Sequence, residues 1–143
     1  MKTLKINHLA ILVIVILGQL IPFGWYTIFA EKWMSLNGLT TEEIESQMSA
    51  TPYISSIITS IVFAYVFAWL FKRLSIKSAS EGLKTALIIW LPFSLLNHIT
   101  VNLFSFRPYA LSWIDAGSDF LIYAAIGLIL GGWRKYEEDV TTG

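Results

Sequence analysis

The stretch 83-LKTALIIWLPFSLLNHITVNLF-104 decides the fold. After Lys84 it runs twenty residues without a Lys, Arg, Asp or Glu, about the length a helix needs to cross a hydrocarbon core of about 30 Å. Yet it carries Asn97, His98 and Asn102, polar groups that are costly against lipid tails and therefore face a helix bundle or a cavity. One such span implies others to pack against it. Three further runs meet the length requirement, residues 9–29, 53–71 and 111–133, with 83–104 as the third in order. The chain of 143 residues thus reads as a single integral membrane domain, residues 1–143, all-α, with four spans in a bundle.

Composition agrees. Hydrophobic residues make up 55% and charged residues 14%, with a mean hydropathy of +0.63, outside the range of an ordinary soluble domain. Ten basic residues balance ten acidic ones, so nothing favours nucleic acid or another polyanion as a partner; the partner implied is the lipid bilayer. The absence of cysteine excludes disulfides and thiolate chemistry. A secretory signal is the rival reading of the first run. The run is too long for a signal core, contains Gln19 and Pro22, and places bulky Ile28 near the best cleavage point, after Ala30, so it is expected to stay as a span.

Basic residues near span ends set orientation. Lys2, Lys5, Lys72, Arg73, Lys77, Lys84, Arg134 and Lys135 fall on one side and only Lys32 and Arg107 on the other, which predicts cytoplasmic N- and C-termini. Trp25, Trp33, Trp69, Trp113 and Trp133 fall near span ends, where amphipathic rings prefer the interface. Between the first two spans, Thr40 with Glu43 forms a capping-box pattern, predicting a short extramembrane helix over residues 41–48. Its acidic residues Glu42, Glu43 and Glu45 suit either a cation-attracting mouth or a solvated face, and the solvated face is the stronger reading.

Spacing of four places residues in rows on a helix. Ser56, Ser60, Ala64 and Ala68 form a small-residue row; Ala86, Trp90, Ser94, His98 and Asn102 form a second; Asp115, Asp119, Tyr123, Gly127 and Gly131 form a third that ends in a GxxxG pair. Small residues let helices approach closely, so the first row and Gly127 with Gly131 are packing candidates. The third span runs outward and the fourth inward. His98 and Asp119 therefore lie at equal depth, roughly 9 Å below the outer interface at 1.5 Å per residue, and Asn102 is level with Asp115. These pairs are expected to meet, with Gln19 contributed by the first span. Arg107 is a candidate to neutralise Asp115, and Asn97 and Thr100 are expected to bond between helices. Pro22 and Pro92 each predict a kink.

The candidate ligand or proton site is thus Asp119, His98, Asn102, Asp115 and Gln19. Asp115, Asp119 and His98 are also weak candidates for holding a divalent cation through oxygen and nitrogen. No catalytic residue and no cofactor is indicated, because no phosphate loop, paired metal motif or nucleotide fingerprint occurs.

Several segments resemble a known family. Asn7-His8-Leu9-Ala10, Gly24-Trp25-Tyr26, Glu31-Lys32-Trp33-Met34, Asn37-Gly38-Leu39-Thr40, Trp113-Ile114-Asp115-Ala116-Gly117 and Gly131-Gly132-Trp133-Arg134 together resemble the domain-of-unknown-function family 1761, small bacterial membrane proteins with about four spans. The resemblance implies a multi-pass protein of the bacterial cytoplasmic membrane and brings no activity or cofactor. The reading is a non-enzymatic membrane protein that binds a proton, cation or small polar ligand in an outward-facing site, expected as a homo-oligomer. A structural or accessory subunit, or an intramembrane enzyme acting on a lipid, stands as the alternative.

Overall fold

The computed structural model describes residues 3–137; Lys2, counted above for orientation, lies outside them. Helix α1 spans His8–Ile28 and begins where Asn7, as N-cap, accepts a hydrogen bond from the Ala10 amide at 3.3 Å. It passes through Pro22 without a break. Two short helices follow, α2 over Ala30–Asn37 and α3 over Thr41–Ser46. Gly38, at φ 67°, ends α2 in the left-handed conformation that glycine adopts freely. The capping box of α3 forms as expected between Thr40 and Glu43. Its backbone bond from Thr40, then its side-chain bond, holds the Glu43 carboxyl below the usual carboxylate range. The box is therefore complete at neutral pH and is lost as pH falls through that lowered value.

Sequence reading gave this connection one helix ending near Met48; there are two, and α3 stops at Ser46. Helix α2 was missed because 30-AEKWMSLN-37 carries no apolar stripe. It is fixed from outside, by Trp33 reaching the last span.

Helix α4 covers Thr51–Arg73, with Pro52 in its first turn. The third span is composite: α5 over Ala79–Trp90, a π-helical segment over Leu91–Leu96, then α6 over Asn97–Phe104. Helix α7 covers Ala110–Gly132. All four spans, including Ala79–Phe104 taken as one, are long and apolar enough to cross a membrane. Their limits agree with the sequence reading within a few residues. Large apolar side chains such as Leu20, Phe23, Ile88 and Phe93 point outward, the surface that lipid covers. Two three-residue strands add to the all-helical expectation: β1, Thr3–Lys5, pairs antiparallel with β2, Lys135–Glu137, with Leu4 opposite Tyr136. Both chain ends therefore meet on one face of the bundle, the terminal face, and α2 and α3 lie on the other, the loop face.

Helix α7 is the hub. In its most apolar window 44% of residues are buried, against 17–22% in the other spans, and it touches α1, α2, α4, α5, the π segment and α6. Its closest approach is to α5. A Cβ on Gly82 would collide with the Gly127 carbonyl oxygen, one on Gly127 would sit 2.6 Å from the Gly82 oxygen, and one on Gly131 2.5 Å from the Ser78 oxygen. The GxxxG pair is used inside the chain. So is the α4 row, since Ala64 and Ala68 are buried and Ser56 and Ser60 bond Gln19 of α1.

Overpacking a tight contact costs about 1–3 kcal/mol, occasionally more. Gly82→Ala is expected to lower the melting temperature in detergent markedly, whereas Gly24→Ala, where nothing lies within 4 Å, leaves it unchanged or raises it. Circular dichroism of both variants checks the contrast.

Candidate functional site

The row Ala86, Trp90, Ser94, His98, Asn102 faces α7 along its whole length, and a straight helix would not achieve this. A spacing of four advances about 40° beyond a full turn, so five members would walk round the helix by about 160°. The π segment at Leu91–Leu96 accommodates an extra residue and turns the following residues back by about 100°. Pro92, expected to kink the span, lies in this segment, where its missing amide suits a broken α ladder.

The row delivers four contacts to α7. Trp90 Nε1 donates to the Ala116 carbonyl at 2.9 Å, and Ser94 Oγ donates to Asp119 Oδ2 at 2.6 Å. His98 Nε2 stands 3.3 Å from the same Oδ2, and Asn102 Nδ2 donates to Ser112 Oγ at 2.9 Å. His98 and Asp119 thus meet as their depths suggested. Asn102 and Asp115 do not. Ser112 lies seven residues from Asp119, within about 20° of its azimuth, whereas Asp115 lies four away and is rotated about 40° the other way. That rotation turns Asp115 towards α1.

There Asp115 Oδ1 accepts from Tyr26 Oη at 2.6 Å and from Trp33 Nε1 at 3.2 Å. Trp25 Nε1 donates to the Ile114 carbonyl at 2.8 Å, and its indole packs where a Cβ on Gly117 would be. Asp115 is therefore held by an aromatic clasp from α1 and α2, which the sequence reading missed. The signal was present, since Tyr26 sits at the loop-face end of α1, level with the first turns of α7. Arg107 does not neutralise Asp115; its Nη2 donates to Asn37 Oδ1 at 2.7 Å and ties the α6–α7 connection to the end of α2.

Gln19 lies elsewhere too. Its Nε2 donates to Ser60 Oγ at 2.9 Å and its Oε1 accepts from Ser56 Oγ at 3.0 Å, so it clamps α1 to α4 and bonds neither Asp119 nor His98. Thr100 bonds Leu96 of its own span, and Asn97 is exposed, so neither bonds between helices. The three weak metal candidates do not converge: among the described residues no group of three or more His, Cys, Asp or Glu is placed to hold a metal ion.

Between α1, α4 and α7 lies a cavity of about 520 Å³, with Asp119 on its wall. Its floor is buried, formed by Ile14, Gly18, Tyr123 and Ile126. Its α4 wall includes Ser55 and Thr59, both exposed. The buried residues of α4 all fall between Ala64 and Phe71, so the loop-face half of α4 stands away from α7 and leaves the space. Asp119 keeps 36% of its side chain accessible. Among the described residues both of its hydrogen bonds fall on Oδ2, as both of Asp115's fall on Oδ1. Ser94, a member of the second row but not of the candidate site, makes the shorter of the two Asp119 bonds.

A family model described as a protein of unknown function, DUF1761, matches residues 9–131, and the chain belongs to this family. No curated protein and no solved structure matches it. The molecule is thus a multi-pass membrane protein of that family.

Leaving a carboxylate short of a buried partner costs about 1–3 kcal/mol. Tyr26→Phe is expected to destabilise the protein by about that amount and to loosen α2. Tryptophan fluorescence during chemical unfolding reads the first effect, and hydrogen exchange over residues 30–37 reads the second.

Proposed function

We propose that this protein binds a proton or a small cationic ligand within the membrane at Asp119, as a transport or sensing site. The observation that carries the reading is the place of that carboxylate, tied to the third span and bordering a cavity. Oδ2 is positioned by Ser94 and His98, and the residue, with 36% of its side chain accessible, lines a cavity of about 520 Å³. An intramembrane carboxylate facing a cavity is by default a binding or proton-relay group.

His98 gives the site a second protonatable group beside the first, on the other helix. A protonated imidazole and the Asp119 carboxylate attract each other, and loss of either charge weakens the tie between α6 and α7. The aromatic clasp on Asp115 closes the loop-face end of α7. The basic residues gathered near the terminal face support an orientation with both chain ends in the cytoplasm and the cavity in the outer half of the bilayer of the cell's cytoplasmic membrane.

Asp119→Asn removes the charge and keeps an oxygen for Ser94 to bond. Thermal unfolding of purified wild type is expected to vary between about pH 5 and pH 8, and the Asn variant to lose that variation while remaining folded. Parallel curves, with the variant merely less stable at every pH, would mean that Asp119 is a structural tie and would remove the proposal.

A further inference from the structure

We infer that the cavity between α1, α4 and α7 takes an amphipathic organic cation, an apolar body bearing a single positive charge, admitted beside the loop-face half of α4. The inference rests on the Asp119 reading and names its ligand class.

Charge is the first constraint. Asp119 lines the cavity and no Lys, Arg or His does, so an anion would face a carboxylate with no compensating group in a low-dielectric space. With the His98 imidazole neutral, a cation is matched one for one. The second constraint is the wall. Apart from Asp119, and from Ser56 and Ser60, whose hydroxyls are bonded to Gln19, the buried and half-buried lining is apolar or aromatic, including Ile14, Phe63, Ile122, Tyr123 and Ile126. The rings of Phe63 and Tyr123 meet edge to face with centroids 5.1 Å apart, and aromatic faces attract organic cations.

Size and coordination argue against a divalent metal ion. Dehydrating such an ion takes several converging oxygen or nitrogen ligands, and among the described residues no group of three or more His, Cys, Asp or Glu is placed to hold a metal ion. A volume of about 520 Å³ lies instead in the range of pockets for organic ligands. Diffuse charge on a greasy body needs no such ligand set, because apolar walls cover most of its surface and one carboxylate balances its charge. Access follows from α4. Thr51–Thr59 contains no buried residue, and its outer positions Ile54, Ile57 and Ile58 are exposed, an apolar flank along which a lipid-soluble cation reaches Ser55 and Thr59.

The test uses the full chain in lipid nanodiscs and measures equilibrium binding of radiolabelled tetraphenylphosphonium, with empty nanodiscs subtracted. Saturable binding is expected, weakened roughly tenfold or more by Asp119→Asn. Competition by tetramethylammonium, which has the charge without the body, and by tetraphenylborate, which has the body with opposite charge, is expected to be weak. A second variant, Thr59→Trp, fills the mouth from an exposed position; it is expected to abolish binding while leaving the pH dependence of unfolding intact. Equal binding of tetraphenylborate, or binding indifferent to both variants, overturns the inference. If tetraphenylphosphonium fails to bind while unfolding still varies with pH through Asp119, the ligand class is wrong and the protonatable site stands. If both effects are absent, the Asp119 reading falls with it.

Discussion

The backbone contact between α5 and α7 is the constraint on which the remaining structure depends. Within lipid there is little hydrophobic gain in bringing two helices together, so association relies on close packing and interhelical hydrogen bonds worth about 0.6–2 kcal/mol each. Gly82 against Gly127, and Gly131 against Ser78, bring the two helices to backbone distance near the terminal face. Further out, the third span must carry Ser94, His98 and Asn102 to the same neighbour, and the π segment supplies the rotation that keeps them there. Trp25 and Trp90 then donate to carbonyls of α7, at Ile114 and Ala116. Helix α7 is thereby held rigid on both sides of Asp119.

The contrast between the two aspartates follows from that scaffold. Both lie on one helix, one turn apart, and the sequence gives no reason to separate them. Packing does. Asp115 is rotated into α1 and α2, where Tyr26 and Trp33 enclose Oδ1. Asp119 is drawn by Ser94 and His98 towards the third span, but α4 stands away on the opposite side, so the residue also borders the cavity. The same splayed helix that leaves the cavity also gives it a lipid-facing approach.

Much of this was legible beforehand, and the failures have physical causes. Four spans, the His98–Asp119 meeting and the α3 capping box follow from length, depth and local hydrogen-bond patterns. The reading erred where azimuth mattered. Treating a spacing of four as a straight row ignores a drift of about 40° per step, and this produced the mistaken pairing of Asn102 with Asp115. The third row worked only because Leu91–Leu96 is π-helical, which Pro92 hints at without specifying. Gln19 was placed at the site by depth alone; its amide instead bridges Ser56 and Ser60, and nothing in the sequence states which face of α1 meets α4. Helix α2 has no periodicity of its own and depends on the contact made by Trp33.

The central claim is that Asp119 borders a cavity within the membrane, whereas Asp115 is enclosed by Tyr26 and Trp33. Modification by a hydrophobic carbodiimide, which attacks protonated carboxyl groups that it can reach from lipid, tests this most directly when read by mass spectrometry on peptides of α7 from protein in bilayers. The account requires an adduct on Asp119 and none on Asp115. An unreactive Asp119, or equal modification of both residues, would contradict it.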